Sequence, residues 1–235
     1  MNIDDKIWLI KYPTDASEHY SEINIKGLEQ FGLEPNIYEG VTPEMLGEKE
    51  YQYLTFDSWW GVQEFTDWQK ANFYTHVELW KKCFKEDTPM LIIEEDVCSR
   101  HPIHEVDDAT RFQVMTEYND IKHKNHFEVG EWQHPFWSMD FGKEVEEEDK
   151  GRGHVPFNKA YFIAPRFAGY LVDIALNTPI RRDAGEYLFI GGLENGGSRF
   201  VKDTFVPIYR PDIGKTVEYE KIDFSGFRGE TEQPV

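Results

Sequence analysis

Three carboxylates in a row, Glu94, Glu95 and Asp96, follow the apolar run Met90 to Ile93. On an extended chain, side chains two positions apart point to the same side, so Glu94 and Asp96 share one face and Glu95 takes the other. Hard oxygen donors at that spacing suit Mg²⁺ or Mn²⁺. A cation held there bridges to diphosphate oxygens and offsets the charge on a departing phosphate-bearing group. The competing reading is a solvated strand end in an acidic chain. His76 lies inside an aromatic-rich segment, where one ring nitrogen could meet a diphosphate or the acidic edge, or where the ring could pack as a neutral, hydrogen-bonded core histidine. Thr75 beside it could donate a short hydrogen bond or serve as ordinary packing. Asp183 follows Arg181 and Arg182. Its carboxylate suits a base or an acceptor-orienting group while the arginines meet phosphate, and an ion-pair cluster at the surface is the alternative.

Weaker signals surround these. Trp132, His134, Trp137 and Asp140 combine flat apolar faces with polar edges, as a sugar-binding loop or a core cover would. His101 and His104 stand close after the acidic triplet without completing a zinc framework. The glycine-rich stretch at 191–197 matches neither a Walker sequence nor a dinucleotide fingerprint, and reads as a lid or a turn.

The elements that must position these groups are legible as a coarse pattern. KIWLI reads as an opening strand, Ser21 to Phe31 as a helix ending near Gly32, and PNIYEG as a second strand. Between Thr66 and Glu86, the residues Trp68, Phe73, Val77, Trp80 and Phe84 recur at helical intervals and predict one packed face on a long helix. MLIIEEDV predicts a buried parallel strand that emerges into a polar cleft. Asp107 to Ile121 reads as a helix. KAYFIAP predicts another central strand, followed by a helix from about Arg166 to Asn177 that packs through Phe167, Tyr170, Leu171 and Ile174. Alternating helices and short buried strands predict an α/β sandwich with one domain over residues 1–212 and a peripheral tail over 213–235.

Composition narrows the function classes. The 235 residues carry 44 acidic against 25 basic side chains, a net charge of -19, which argues against a broad nucleic-acid face or attachment to anionic lipid. Five acids within 144–149 form a local run expected to face water. The opening residues lack the positive-then-apolar order of a signal peptide, and a cytoplasmic location is expected. Cys83 and Cys98 are too few for a disulfide framework and read as free thiols near a core edge.

The order of segments in YTHVELWKKCFKEDTPMLIIEEDV resembles glycosyltransferase family 25, in which a Ser-His-x-x-x-Trp-like helix precedes an apolar strand ending in Glu-Asp-Asp. Thr75 stands in the serine-like place, His76 and Trp80 match, and Glu95 replaces the middle Asp. KIWLIKYP looks like the family's opening strand and KAYFIAPRFAGYLV like its later strand and helix, with Asp183 placed like the acidic residue that follows. The family includes lipooligosaccharide sugar transferases and collagen galactosyltransferases. The resemblance implies a GT-A-like fold with a mostly parallel central sheet, a nucleotide-sugar donor, a hydroxyl acceptor such as a glycan, and Mn²⁺ or Mg²⁺ held by Asp96 and Glu94. It further implies that Thr75, His76, Glu94, Arg181 and Arg182 meet the donor, and that Asp183 and Glu95 act on the reacting sugar or acceptor.

Overall fold

A computed structural model describes residues 6–57, 64–95, 97–99, 112–116, 132–133, 159–182, 184–185, 187–188 and 198–207, with the backbone alone for 98–99, 112–116, 132–133 and 198–207. The first strand, β1 (Ile7–Lys11), buries Ile7, Leu9 and Ile10. Helix α1 (Asp15–Glu29) starts at Thr14, whose hydroxyl accepts from the Ser17 amide at 3.1 Å. It therefore begins a turn and a half before the expected Ser21. Ser17, Ser21 and Asn24 are buried on it, and polar side chains on the inner face hide the apolar periodicity that would have revealed its first half. Gly32, at φ 72°, makes the left-handed exit that a side chain would strain.

Strand β2 (Asn36–Glu39) pairs parallel with β1. Two short 3₁₀ turns at Pro43–Gly47 and Lys49–Tyr51 then lead toward helix α2 (Asp67–Glu86). That helix carries a complete capping box, with Thr66 and Gln69 each bonding the other's backbone amide, and ends at left-handed Asp87. Phe73, Val77 and Trp80 are fully buried as the spacing predicts, whereas Trp68 and Phe84, at the ends of the stripe, are exposed. Strand β3 (Met90–Ile93) is buried at every position. Strands β4 (Val97–Ser99), β5 (Phe112–Thr116) and β6 (Trp132–Gln133) follow, then β7 (Ala160–Ile163), helix α3 (Pro165–Asn177) and β8 (Ser198–Pro207). Pro165 supplies the fixed φ favoured at a helix start.

The sheet order is β2-β1-β3-β7-β5-β8-β4, with β6 also on β8. Strands β2, β1 and β3 are mutually parallel, and β7 runs antiparallel to both β3 and β5. Beyond it, β5 and β8 pair parallel, while β4 and β6 lie antiparallel to β8. The expected helix between Asp107 and Ile121 is corrected by β5. Phe112, Gln113 and Val114 pair with Ile163, Phe162 and Tyr161 of β7, and this cross-strand pairing overrides a weak local helical preference. The remaining residues of that expected helix and the tail from 213 lie outside the described residues.

Strand alternation divides the core in two. Ile10, Tyr12, Met90, Ile92, Tyr161 and Ile163 face α2 and α3, while Ile7, Leu9, Leu91, Ile93, Ala160 and Phe162 face the α1 side. Because β2 lies on one side of β1 and β3 on the other, strand order reverses at β1. Crevices outside the carboxyl ends of strands at such a reversal are where open α/β sheets take ligands.

Candidate active site at the carboxyl edge of the sheet

Glu94 is the first residue beyond β3 and is only 4% exposed. Its backbone joins both flanks of the sheet edge: the amide donates to the Lys159 carbonyl at 2.7 Å, and the carbonyl accepts from Asn24 of α1 at 3.3 Å. The carboxylate is engaged on both oxygens. Oε1 accepts from Asn72 Nδ2 at 3.1 Å and lies 3.0 Å from His76 Nε2, and Oε2 accepts from Lys159 Nζ at 2.5 Å. Asn72 and His76 are four apart on α2 and so reach the same spot from successive turns. Burial would by itself raise the Glu94 carboxyl, but the Lys159 ammonium and the His76 hydrogen bond outweigh it and hold the group down at about 2.

The network continues inward. His76 Nδ1 lies 2.8 Å from the Tyr161 hydroxyl, which also accepts from Trp80 Nε1 at 2.9 Å. Trp80 can only donate and an ionised carboxylate can only accept, so Nε2 of His76 carries a proton toward Glu94. The neutral tautomer with that proton leaves Nδ1 to accept from Tyr161. Burial drives the Tyr161 phenol well above its ordinary range, which keeps that donor proton in place. On the outer side, Tyr12 at the end of β1 accepts from Asn72 at 3.1 Å, and its own phenol is raised by burial, then by the charges of Glu94 and Glu95. The Tyr12 ring occupies the space a Cβ at residue 40 would need, so Gly40 is required where β2 turns away. Trp68 meets Tyr12 edge to face at 5.8 Å.

The sequence candidates fall into distinct places. His76 and Glu94 are brought together in this buried cluster. Thr75 is fully buried; its hydroxyl donates to the Ala71 carbonyl at 3.0 Å and accepts from the Val41 amide at 2.9 Å, tying the loop after β2 to α2. Glu95 is half-buried in the turn after Glu94. Arg181 is exposed and pairs with Asp57 at 2.9 Å, because a parallel bridge between Phe56 and Ile180 sets the next residues side by side. Arg182 is half-buried. The backbone of Trp132 belongs to β6, while Asp96, Asp183, His101, His104, His134, Trp137, Asp140 and residues 191–197 lie outside the described residues. Cys83 is a free, buried thiol that burial pushes up to about 12, and the side chain of Cys98 is not described.

Asn72, Lys159, Tyr161 and Tyr12 were not singled out from sequence. Lys159 carried a faint signal, a cation directly before the apolar run AYFI, but its partner depends on how β7 pairs. Among the described residues, no group of three or more His, Cys, Asp or Glu is arranged to hold a metal. Glu94 in particular is filled by Asn72, His76 and Lys159, an arrangement that fits an anchor better than a ligand.

An α/β sheet with helices on both faces and acids at its carboxyl edge is a GT-A-like architecture. Residues 22–184 match the profile of glycosyltransferase family 25, described as an LPS biosynthesis protein, and this chain belongs to that family. Its activity is accordingly of the glycosyltransferase type. No curated protein sequence matches the chain. Among solved structures, it is similar to a glycosyltransferase involved in the glycosylation of the major capsid of PBCV-1, at 10% identity and a TM-score of 0.43, over 87% of this chain and 94% of that one. Among the described residues, no helix is long and apolar enough to cross a membrane.

Proposed function

We propose that the chain transfers a sugar from a nucleotide-sugar donor to a hydroxyl acceptor, at the carboxyl ends of β1 and β3. The observation that carries this reading is the acidic triplet at the strand-order reversal, in a chain of a sugar-transferring family, with its first carboxylate locked from three sides. Glu94 fixes the strand end and, through Asn72, the Tyr12 hydroxyl. Glu95 and Asp96 would then hold Mg²⁺ or Mn²⁺, oxygen-seeking cations that such acids suit. When bound, the cation would neutralise charge on the donor diphosphate. Asp183 takes the role of accepting the proton of the acceptor hydroxyl, with Arg182 beside it in sequence.

The test is incubation of the protein with a panel of nucleotide sugars and glycan acceptors, with and without Mn²⁺, and detection of the glycosylated product by mass spectrometry. Acceptor glycosylation is expected, and it should fall about 100-fold or more in Asp183→Asn if that carboxylate is the base. Release of nucleotide and free sugar, with every acceptor left unmodified, would show a hydrolase instead. Near-normal turnover by Asp183→Asn would remove the base assignment while leaving transfer intact.

A further inference from the structure

We propose that Lys159 is a phosphate-contacting residue, a cation supplied by the chain itself for the donor diphosphate. The inference rests on the nucleotide-sugar reading above and adds to it a residue that the acidic motif does not contain. Three observations point the same way.

The first is direction. Because β7 runs antiparallel to β3, with Ala160 opposite Ile93, the residue before β7 arrives where β3 ends. The Glu94 amide bonded to the Lys159 carbonyl fixes that arrival. The side chain therefore stands at the edge where the acidic triplet begins, rather than on a remote flank.

The second is a gradient of exposure along the pair. The Glu94 side chain is 5% exposed and that of Lys159 is 26% exposed, so the carboxylate lies inside and the lysine is the more open partner of the pair. An ammonium carries three protons, and a lysine can contact a carboxylate and a phosphate oxygen together as a compact point charge.

The third is the way Glu94 is filled. Asn72 and His76 both meet Oε1, and Lys159 meets Oε2. The carboxylate thus aims the ammonium instead of attracting a metal. A diphosphate bound at this strand end would meet the Lys159 ammonium from the side where β7 enters, and that charge adds to its neutralisation.

The experiment is isothermal titration of the full chain with inorganic pyrophosphate in the presence of EDTA, followed by nucleoside diphosphates, for the parent protein, Lys159→Arg, Lys159→Met and the double variant Glu94→Gln/Lys159→Met. The double variant removes both charges and so guards against unfolding caused by an uncompensated Glu94; circular dichroism checks each fold. Lys159→Arg is expected to keep most of the affinity, whereas both methionine variants lose about 10- to 100-fold, the value of a charge-assisted hydrogen bond. Recovery of parental affinity in the double variant would overturn the proposal, since Lys159 would then merely balance Glu94. Failure of the parent protein to bind pyrophosphate in EDTA would overturn it too. In either case, acceptor glycosylation in the transfer assay would leave the donor reading standing, and absence of both transfer and nucleoside diphosphate binding would remove that reading as well.

Discussion

Two ion pairs, Glu94 with Lys159 and Asp57 with Arg181, use the same charges and are both set by pairing between distant strands or bridges, yet their surroundings differ completely. Asp57 and Arg181 have side chains 44% and 65% exposed, and water screens their attraction. Glu94 is buried, shares its charge among Lys159, His76 and Asn72, and is almost wholly withdrawn from solvent. The exposed pair marks where two segments lie adjacent. The buried pair is a condition for the sheet edge to exist in its present form, because an isolated carboxylate cannot be dehydrated at acceptable cost.

Breaking each pair should expose that difference. The largest effect is expected from Lys159→Met, which leaves Glu94 charged and buried without its cation and should destabilise the fold by about 3–5 kcal/mol in urea denaturation. Next comes Tyr161→Phe, which strands Trp80 Nε1 and His76 Nδ1 inside the core. A loss of about 1–3 kcal/mol in the same measurement fits one or two unsatisfied groups.

Acid sharpens the contrast by a different route. The folded Glu94 carboxyl titrates at about 2 against an ordinary 4.5, so the unfolded chain binds the proton more readily and this residue's stabilisation is complete above the ordinary value. It is lost as pH falls from there through about 2. The difference in stability between the parent and Glu94→Gln, followed by denaturation across that range, should therefore shrink with falling pH. A constant difference would place the stabilising role elsewhere. The smallest effect belongs to Asp57→Asn, expected at about 0–1 kcal/mol and fading further in high salt. If Asp57→Asn proved as damaging as Lys159→Met, the distinction between the two pairs would fail.

The same contrast explains what could be read in advance. The strand MLII and the acids after it were legible because four apolar residues followed abruptly by carboxylates form a local signal, and Phe73, Val77 and Trp80 announced α2 by spacing alone. His76 could be placed on that helix, but not its link through Tyr161 to Trp80, which spans the sheet and the helix layer. Glu94 could be recognised as chemically important and His76 as a group able to meet the acidic edge, yet Asn72 and Lys159 could not be named. Lys159 depends on antiparallel register between β7 and β3, and Asn72 looked like any polar residue of an exposed helix turn. Strand β5 was missed for a related reason, since its conformation is decided by its partner β7 rather than by its own residues.

The antiparallel approach of β7 also sets an order of events in folding. Lys159 lies 65 positions after Glu94, so a chain that has assembled β1, β2 and β3 around their helices still holds an acidic strand end that must keep its water. Closing that edge waits for a long-range contact, the kind whose loop entropy delays formation. The sheet can thus collapse early as a framework, while its chemically important corner dries late, when β7 brings the opposite charge.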